Sequence, residues 1–172
     1  MNAFILVVPI ILIRYGLLGL INKEALKRAA FFAPLVGRER TAYVVYQITT
    51  ICIFLYLVML RVRTDSGWFY IGLIASILGL ILYAVSMVNY AMPKTNGVNL
   101  NGLYQVSRNP MYIAHFIYFL GCVFLTQSYI LLMLLIAFQI STHWIILSEE
   151  RWCVKKFGEE YVRYMNKVKR YI

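Results

Sequence analysis

An all-α integral membrane protein, with about five transmembrane helices and a C-terminal amphipathic helix, is predicted from three observations. Hydrophobic residues fill 62% of the 172 positions, and the mean hydropathy of +0.71 lies outside the range of soluble domains. The apolar residues come in runs long enough to enter a bilayer. The basic residues, which give a net charge of +10, gather at the ends of those runs, where anionic lipid headgroups and not nucleic acid explain them.

Residues 4–21 form the first run, broken only by Arg14. An arginine in a span must snorkel, pair or face a polar cavity. Met1-Asn2-Ala3 supplies no basic segment before this run, and no small-residue cleavage pattern follows it, so it is expected to stay as an anchor. Residues 22–43 are basic, and their Ala-rich first half predicts a short interfacial helix, with Pro34 and Gly37 marking a turn. Residues 44–60 are the second span, 61–67 a short polar loop, and 68–90 the third span, with aromatic residues at both ends. Pro110 suits the first turn of a helix, so spans over 111–125 and 129–147 follow, joined by Thr126-Gln127-Ser128 in a tight helical hairpin. From Ser148 the chain is charged. Val154, Phe157, Tyr161, Tyr164 or Met165, and Val168 recur at steps of three and four, which predicts an amphipathic helix resting on the membrane surface.

Alternate loops differ in charge. Residues 22–43, Lys94, Arg108 and the segment after Ser148 hold fourteen Lys and Arg, whereas the other side holds Arg61 and Arg63. The positive-inside rule therefore predicts an outside N-terminus, with the loop before Pro110 and the C-terminal helix together in the cytoplasm.

The polar stretch 99–112 lies between apolar runs, so its backbone groups need water, protein or a ligand. Gly97, Gly102, Asn96, Asn99 and Asn101 tolerate left-handed conformations and expose backbone amides, as a loop wrapping a polar molecule would. An ordinary connecting loop is the alternative. Glu149 and Glu150, where the last span meets the cytoplasm, either begin a surface helix or grip a cation or sugar hydroxyls. His115 shares a helix face with Tyr112. The two histidines belong to no metal motif, the three cysteines form no CxxC pair, and no metal site is expected. GxGxxG, GxxxxGK[ST] and GxSxG are absent.

Arg108-Asn109-Pro110-Met111-Tyr112, an apolar hairpin, Glu149-Glu150 and Phe157-Gly158-Glu159-Glu160-Tyr161 together resemble the isoprenylcysteine carboxyl methyltransferase and phospholipid methyltransferase family. Its signature is Arg-His-Pro-x-Tyr-x-Gly, a helical hairpin and Glu-Glu, preceded by a Gly-x-Tyr that Gly102-Leu103-Tyr104 matches. The resemblance covers residues 89–172, so 1–88 are expected to anchor a cofactor-binding core at 89–172 within one membrane domain. It implies an S-adenosylmethionine-dependent methyltransferase acting on a lipophilic carboxylate or amine drawn from the bilayer. By the same resemblance the cofactor is held by Asn96, Gly97, Val98, Asn99, Tyr104, Asn109, Pro110, Met111, Tyr112 and Glu149. Arg108, His115 and Glu150 are the candidates for a catalytic role. Asn109 stands where the family has histidine, Ala114 where it has glycine, and Ile145 where eukaryotic members carry the arginine that anchors prenylcysteine. Prenylcysteine is therefore disfavoured as substrate. Two other readings are a non-catalytic membrane scaffold or lipid-binding protein with a degenerate cofactor site, and a reductase of the sterol-reductase type.

Overall fold

Asparagines bracket the first helix and tie it to the rest of the chain. Asn2 accepts from the Phe4 N–H (2.7 Å) and donates to the Val58 carbonyl (3.0 Å). Asn22 caps the next helix through the Glu24 and Ala25 N–H groups and donates to the Ala91 carbonyl (2.9 Å). Between them runs α1 (Ala3–Ile21). It opens with a 3-10 turn over Ala3–Leu6 and widens to a π-helical turn over Leu12–Leu17, which contains Arg14.

The computed structural model describes residues 1–93 and 98–172. After α1 come α2 (Lys23–Ala29), α3 (Arg38–Met59) and α4 (Trp68–Ala91). A 3-10 turn (Gly102–Gln105) precedes α5 (Pro110–Thr126), α6 (Tyr129–Phe157) and the short α7 (Glu159–Lys167). Helices α1, α3, α4 and α6 are long and apolar enough to cross a membrane, and α5 is a shorter apolar helix of 17 residues. Ile48, Ile51 and Leu55 of α3 and Ile74, Ile77 and Ile81 of α4 are exposed on the outside of the bundle. Apolar faces of that extent suit lipid, not water.

Small residues decide which helices approach closely. Gly72, Ser76 and Gly79 face α5, and a Cβ at Gly79 would lie 2.5 Å from the Tyr118 backbone nitrogen. In a bilayer, where apolar burial drives helices together only weakly, such close approach supplies the attraction through van der Waals contact. Helix α6 packs mainly on α3, where Tyr46 stacks on Phe138 with ring centroids 5.2 Å apart. The hairpin expected between α5 and α6 is present as a reversal at Gln127 (φ 49°). Each of its arms packs more extensively on an earlier helix than on the other.

The last helix differs from expectation. Helix α6 runs on past the predicted end of its span to Phe157, so Glu149 and Glu150 lie inside it and begin no surface helix. Gly158, at φ +57°, breaks the chain before α7. Tyr161 and Tyr164 of α7 pack with Val98, Leu100, Cys153 and Phe157 in a second hydrophobic cluster. The predicted apolar face exists, but part of it covers the loop before Pro110.

Candidate functional site

Helix α5 begins at Pro110, and the three residues before it are held by the C-terminal tail. The Arg108 N–H donates to the Lys169 carbonyl (3.0 Å), and Asn109 Nδ2 and Ser107 Oγ donate to the Arg170 carbonyl (3.1 and 3.3 Å). Arg108 Nε and Nη2 both reach Glu150 Oε1 (3.0 and 2.9 Å), while Nη1 donates to the Met165 and Val168 carbonyls (2.8 and 3.1 Å). Arg170 takes the other Glu150 oxygen (3.0 and 2.8 Å). That carboxylate raises the Arg170 pKa above its ordinary value. Arg108 and Glu150 are thus committed to each other and to the tail. Sequence reading missed Arg170, because nothing distinguishes one arginine in a basic tail.

Above this clasp lies a cavity of about 690 Å³, within the range of about 300–1,000 Å³ usual for small-molecule sites. Its lining joins segments far apart in the chain: Val98, Asn99, Tyr104 and Asn109 from the loop, Met111, Tyr112 and His115 from α5, and Glu149 from α6. Tyr161 and Tyr164 of α7 complete it, with Arg28, Phe31 and Phe32 from the segment after α1. Arg14 and Tyr46 of the first 88 residues line it too, so the anchoring half contributes wall. Pro110 is buried at the helix start and is not among the lining residues. Asn96 and Gly97 lie outside the described residues.

Gly102 positions the loop. At φ +50° it packs on the Asn89 side chain, whose Oδ1 accepts from the Leu103 N–H (3.0 Å). Tyr104 is buried, its carbonyl accepts from the Tyr164 hydroxyl (2.6 Å), and burial holds its phenol well above the ordinary pKa. Its own hydroxyl and Asn99 Oδ1 are buried with no hydrogen-bond partner among the described residues. Buried polar atoms without partners are uncommon, and these two lie on one cavity wall. Glu149 Oε1 accepts from the Tyr112 hydroxyl (3.0 Å), and Glu149 forms no ion pair with another described residue. His115 Nδ1 faces the Met111 carbonyl (3.1 Å). A carbonyl only accepts, so the proton belongs on Nδ1 and Nε2 keeps a lone pair.

The segment after α1 roofs the cavity and is clamped to α6. Arg151 grips Glu39 through both carboxylate oxygens (2.6 and 2.7 Å) and donates to the Pro34 carbonyl (3.0 Å). Phe31 meets Trp152 with ring centroids 5.3 Å apart. His143, an orphan in the sequence, contacts the Tyr171 hydroxyl at 2.8 Å and so anchors the tail.

A helical membrane bundle closing over a polar cavity lined by a carboxylate defines a class, and sequence comparison identifies it. The family model described as phospholipid methyltransferase matches residues 68–160, more than half of the chain. The chain belongs to that family of membrane methyltransferases. Comparison with curated proteins and with solved structures gives no match.

Proposed function

We propose that this protein transfers a methyl group from S-adenosylmethionine to a membrane-partitioned amphiphile. The observation that carries this reading is the meeting of Asn99, Tyr104, Tyr112 and Glu149 around one cavity. The donor set fits the cofactor. Glu149 suits its cationic groups, the partnerless Asn99 Oδ1 and Tyr104 hydroxyl suit an ammonium or ribose diol, and Phe157, Tyr161 and Tyr164 offer aromatic faces. Arg108 is occupied by Glu150 and the tail, so Arg28 and Lys156, which also line the cavity, remain for the cofactor's carboxylate end.

When bound, S-adenosylmethionine would supply an electrophilic methyl carbon for an acceptor's lone pair, with Glu149, Asn99 and Tyr104 holding the donor. The chain's task is positioning in a water-poor site. A carboxylate acceptor needs no base. An amine acceptor loses a proton, for which His115 Nε2 and Glu149 are the available groups. Arg108 and Glu150 also line the cavity, and their pairing with each other and with Arg170 and the tail supports a positioning role. The charge asymmetry of the loops supports a cytoplasmic cavity mouth and an outside N-terminus.

Calorimetry with S-adenosylhomocysteine on detergent-solubilised protein tests the assignment. Binding is expected, and Glu149→Gln is expected to weaken it about tenfold or more without lowering thermal stability. No heat at high micromolar ligand with folded protein would refute the cofactor. Binding without methyl transfer to any amphiphilic acceptor would favour the scaffold reading.

A further inference from the structure

A second cavity of about 450 Å³ adjoins the first. Ile10, Ile53, Phe54, Phe119 and Phe138 give it apolar walls drawn from α1, α3, α5 and α6. The two cavities share Arg14, Phe32, Tyr46 and His115. One side of this junction therefore carries the Glu149 carboxylate and the polar loop, and the other is lined mainly by aliphatic and aromatic side chains, with Gln47 and Thr50 among its polar residues.

Arg14 is the one charged side chain in both walls. It lies in the π-helical turn of α1, seven residues or about 10 Å from the end of that helix. Extra turns of this kind within helices recur at functional sites. Its Nη2 donates to the Ala29 carbonyl at 2.8 Å. None of the ion pairs among the described residues involves it, and Glu149 is more than 4.0 Å away. A guanidinium inside a span without a carboxylate is costly unless an anion reaches it. With Glu149 engaged by the cofactor's cationic groups and the cofactor's carboxylate end held at Arg28 and Lys156, the Arg14 charge is left for another anion.

We infer that Arg14 holds the oxyanion of an amphiphilic substrate whose hydrocarbon chain occupies the second cavity. Arg14 lies outside the residues that the family model matches, so this anchor belongs to the chain's own first helix. The inference rests on the larger cavity being the methyl-donor site. It selects carboxylate or phosphate amphiphiles over alcohols and amines of equal chain length, because a second cation beside Arg14 is repelled and an alcohol leaves its charge unmatched.

The test is displacement of cis-parinaric acid from the protein in dodecyl maltoside by oleate, oleyl phosphate, oleyl alcohol and oleylamine. Oleate or oleyl phosphate should compete about 10- to 100-fold better than the other two, and whichever leads tells a carboxylate substrate from a phosphate one. Arg14→Gln should abolish that preference. Should Arg14→Gln fail to fold, two other variants decide. Arg14→Lys should keep the preference, and Ile53→Trp, which fills the second cavity, should weaken all four amphiphiles alike. Equal competition by all four in the native protein, or a preference that survives Arg14→Gln, overturns the inference. An Arg14-dependent preference without S-adenosylhomocysteine binding would uphold the anion site and refute the methyl-donor reading instead.

Discussion

Two adjacent glutamates should respond to substitution in different ways, one in stability and the other in binding. Glu150→Ala removes the carboxylate shared by Arg108 and Arg170, whose side chains are 8% and 32% exposed. Arg170 keeps access to solvent, so its share is small, about 1 kcal/mol or less. Arg108 is left as a buried cation facing only the Met165 and Val168 carbonyls, and breaking a buried pair from one side costs about 3–5 kcal/mol. For a chain of this length that lowers the melting temperature by roughly 10 °C. The tail should loosen with it, since Ser107, Arg108 and Asn109 all bind the Lys169 and Arg170 carbonyls. Thermal unfolding followed by tryptophan fluorescence, with trypsin sensitivity at Lys167, Lys169 and Arg170, reads both effects. The paired change Arg108→Met with Glu150→Leu should recover much of the loss, because no charge is left buried. A Glu150→Ala protein that melts within about 2 °C of the native one, with its tail intact, would refute the clasp as a stabilising element.

Other substitutions isolate other parts of the fold. Glu149→Gln should spare the melting temperature and cut S-adenosylhomocysteine affinity, which calorimetry separates from the Glu150 effect. Gly79→Ala puts a methyl 2.5 Å from the Tyr118 nitrogen and should destabilise by about 1–3 kcal/mol, seen as a lower melting temperature; an unchanged value would mean that α4 and α5 separate easily. Arg151→Ala releases the roof from Glu39, and because Arg151 is 48% exposed the stability loss should stay near 1 kcal/mol or below. Faster proteolysis within residues 22–37 should accompany it, and cleavage at the native rate would show that the clamp does not hold the roof.

Much of the architecture was legible because bilayer physics writes itself into composition. Runs of apolar residues must be helices where no water can satisfy the backbone, and Pro110 and the aromatic ends of 68–90 mark their limits. The site was legible where residue chemistry is unusual for its surroundings: a Gly-x-Tyr loop, Tyr112 and Glu149 between apolar spans. These segments line one cavity, though they come from three parts of the chain. The periodic face at Val154, Phe157, Tyr161 and Val168 was also visible, but periodicity records only that a face is apolar. It does not record what covers that face.

The amino-acid order by itself determined a helical membrane protein with a polar seam at one rim, because hydrophobicity and turn chemistry act within a few residues. Only the tertiary structure decided which charge meets which. Glu149 and Glu150 are chemically identical neighbours, yet one faces a cavity beside Tyr112 and the other closes a buried clasp with Arg108 and Arg170. Arg14, a lone charge in its span by sequence, stands at the junction of two cavities. Helix rotation and packing set those partners, and the packing depends on contacts between residues more than a hundred positions apart, such as the Tyr118 hydroxyl and the Leu6 carbonyl.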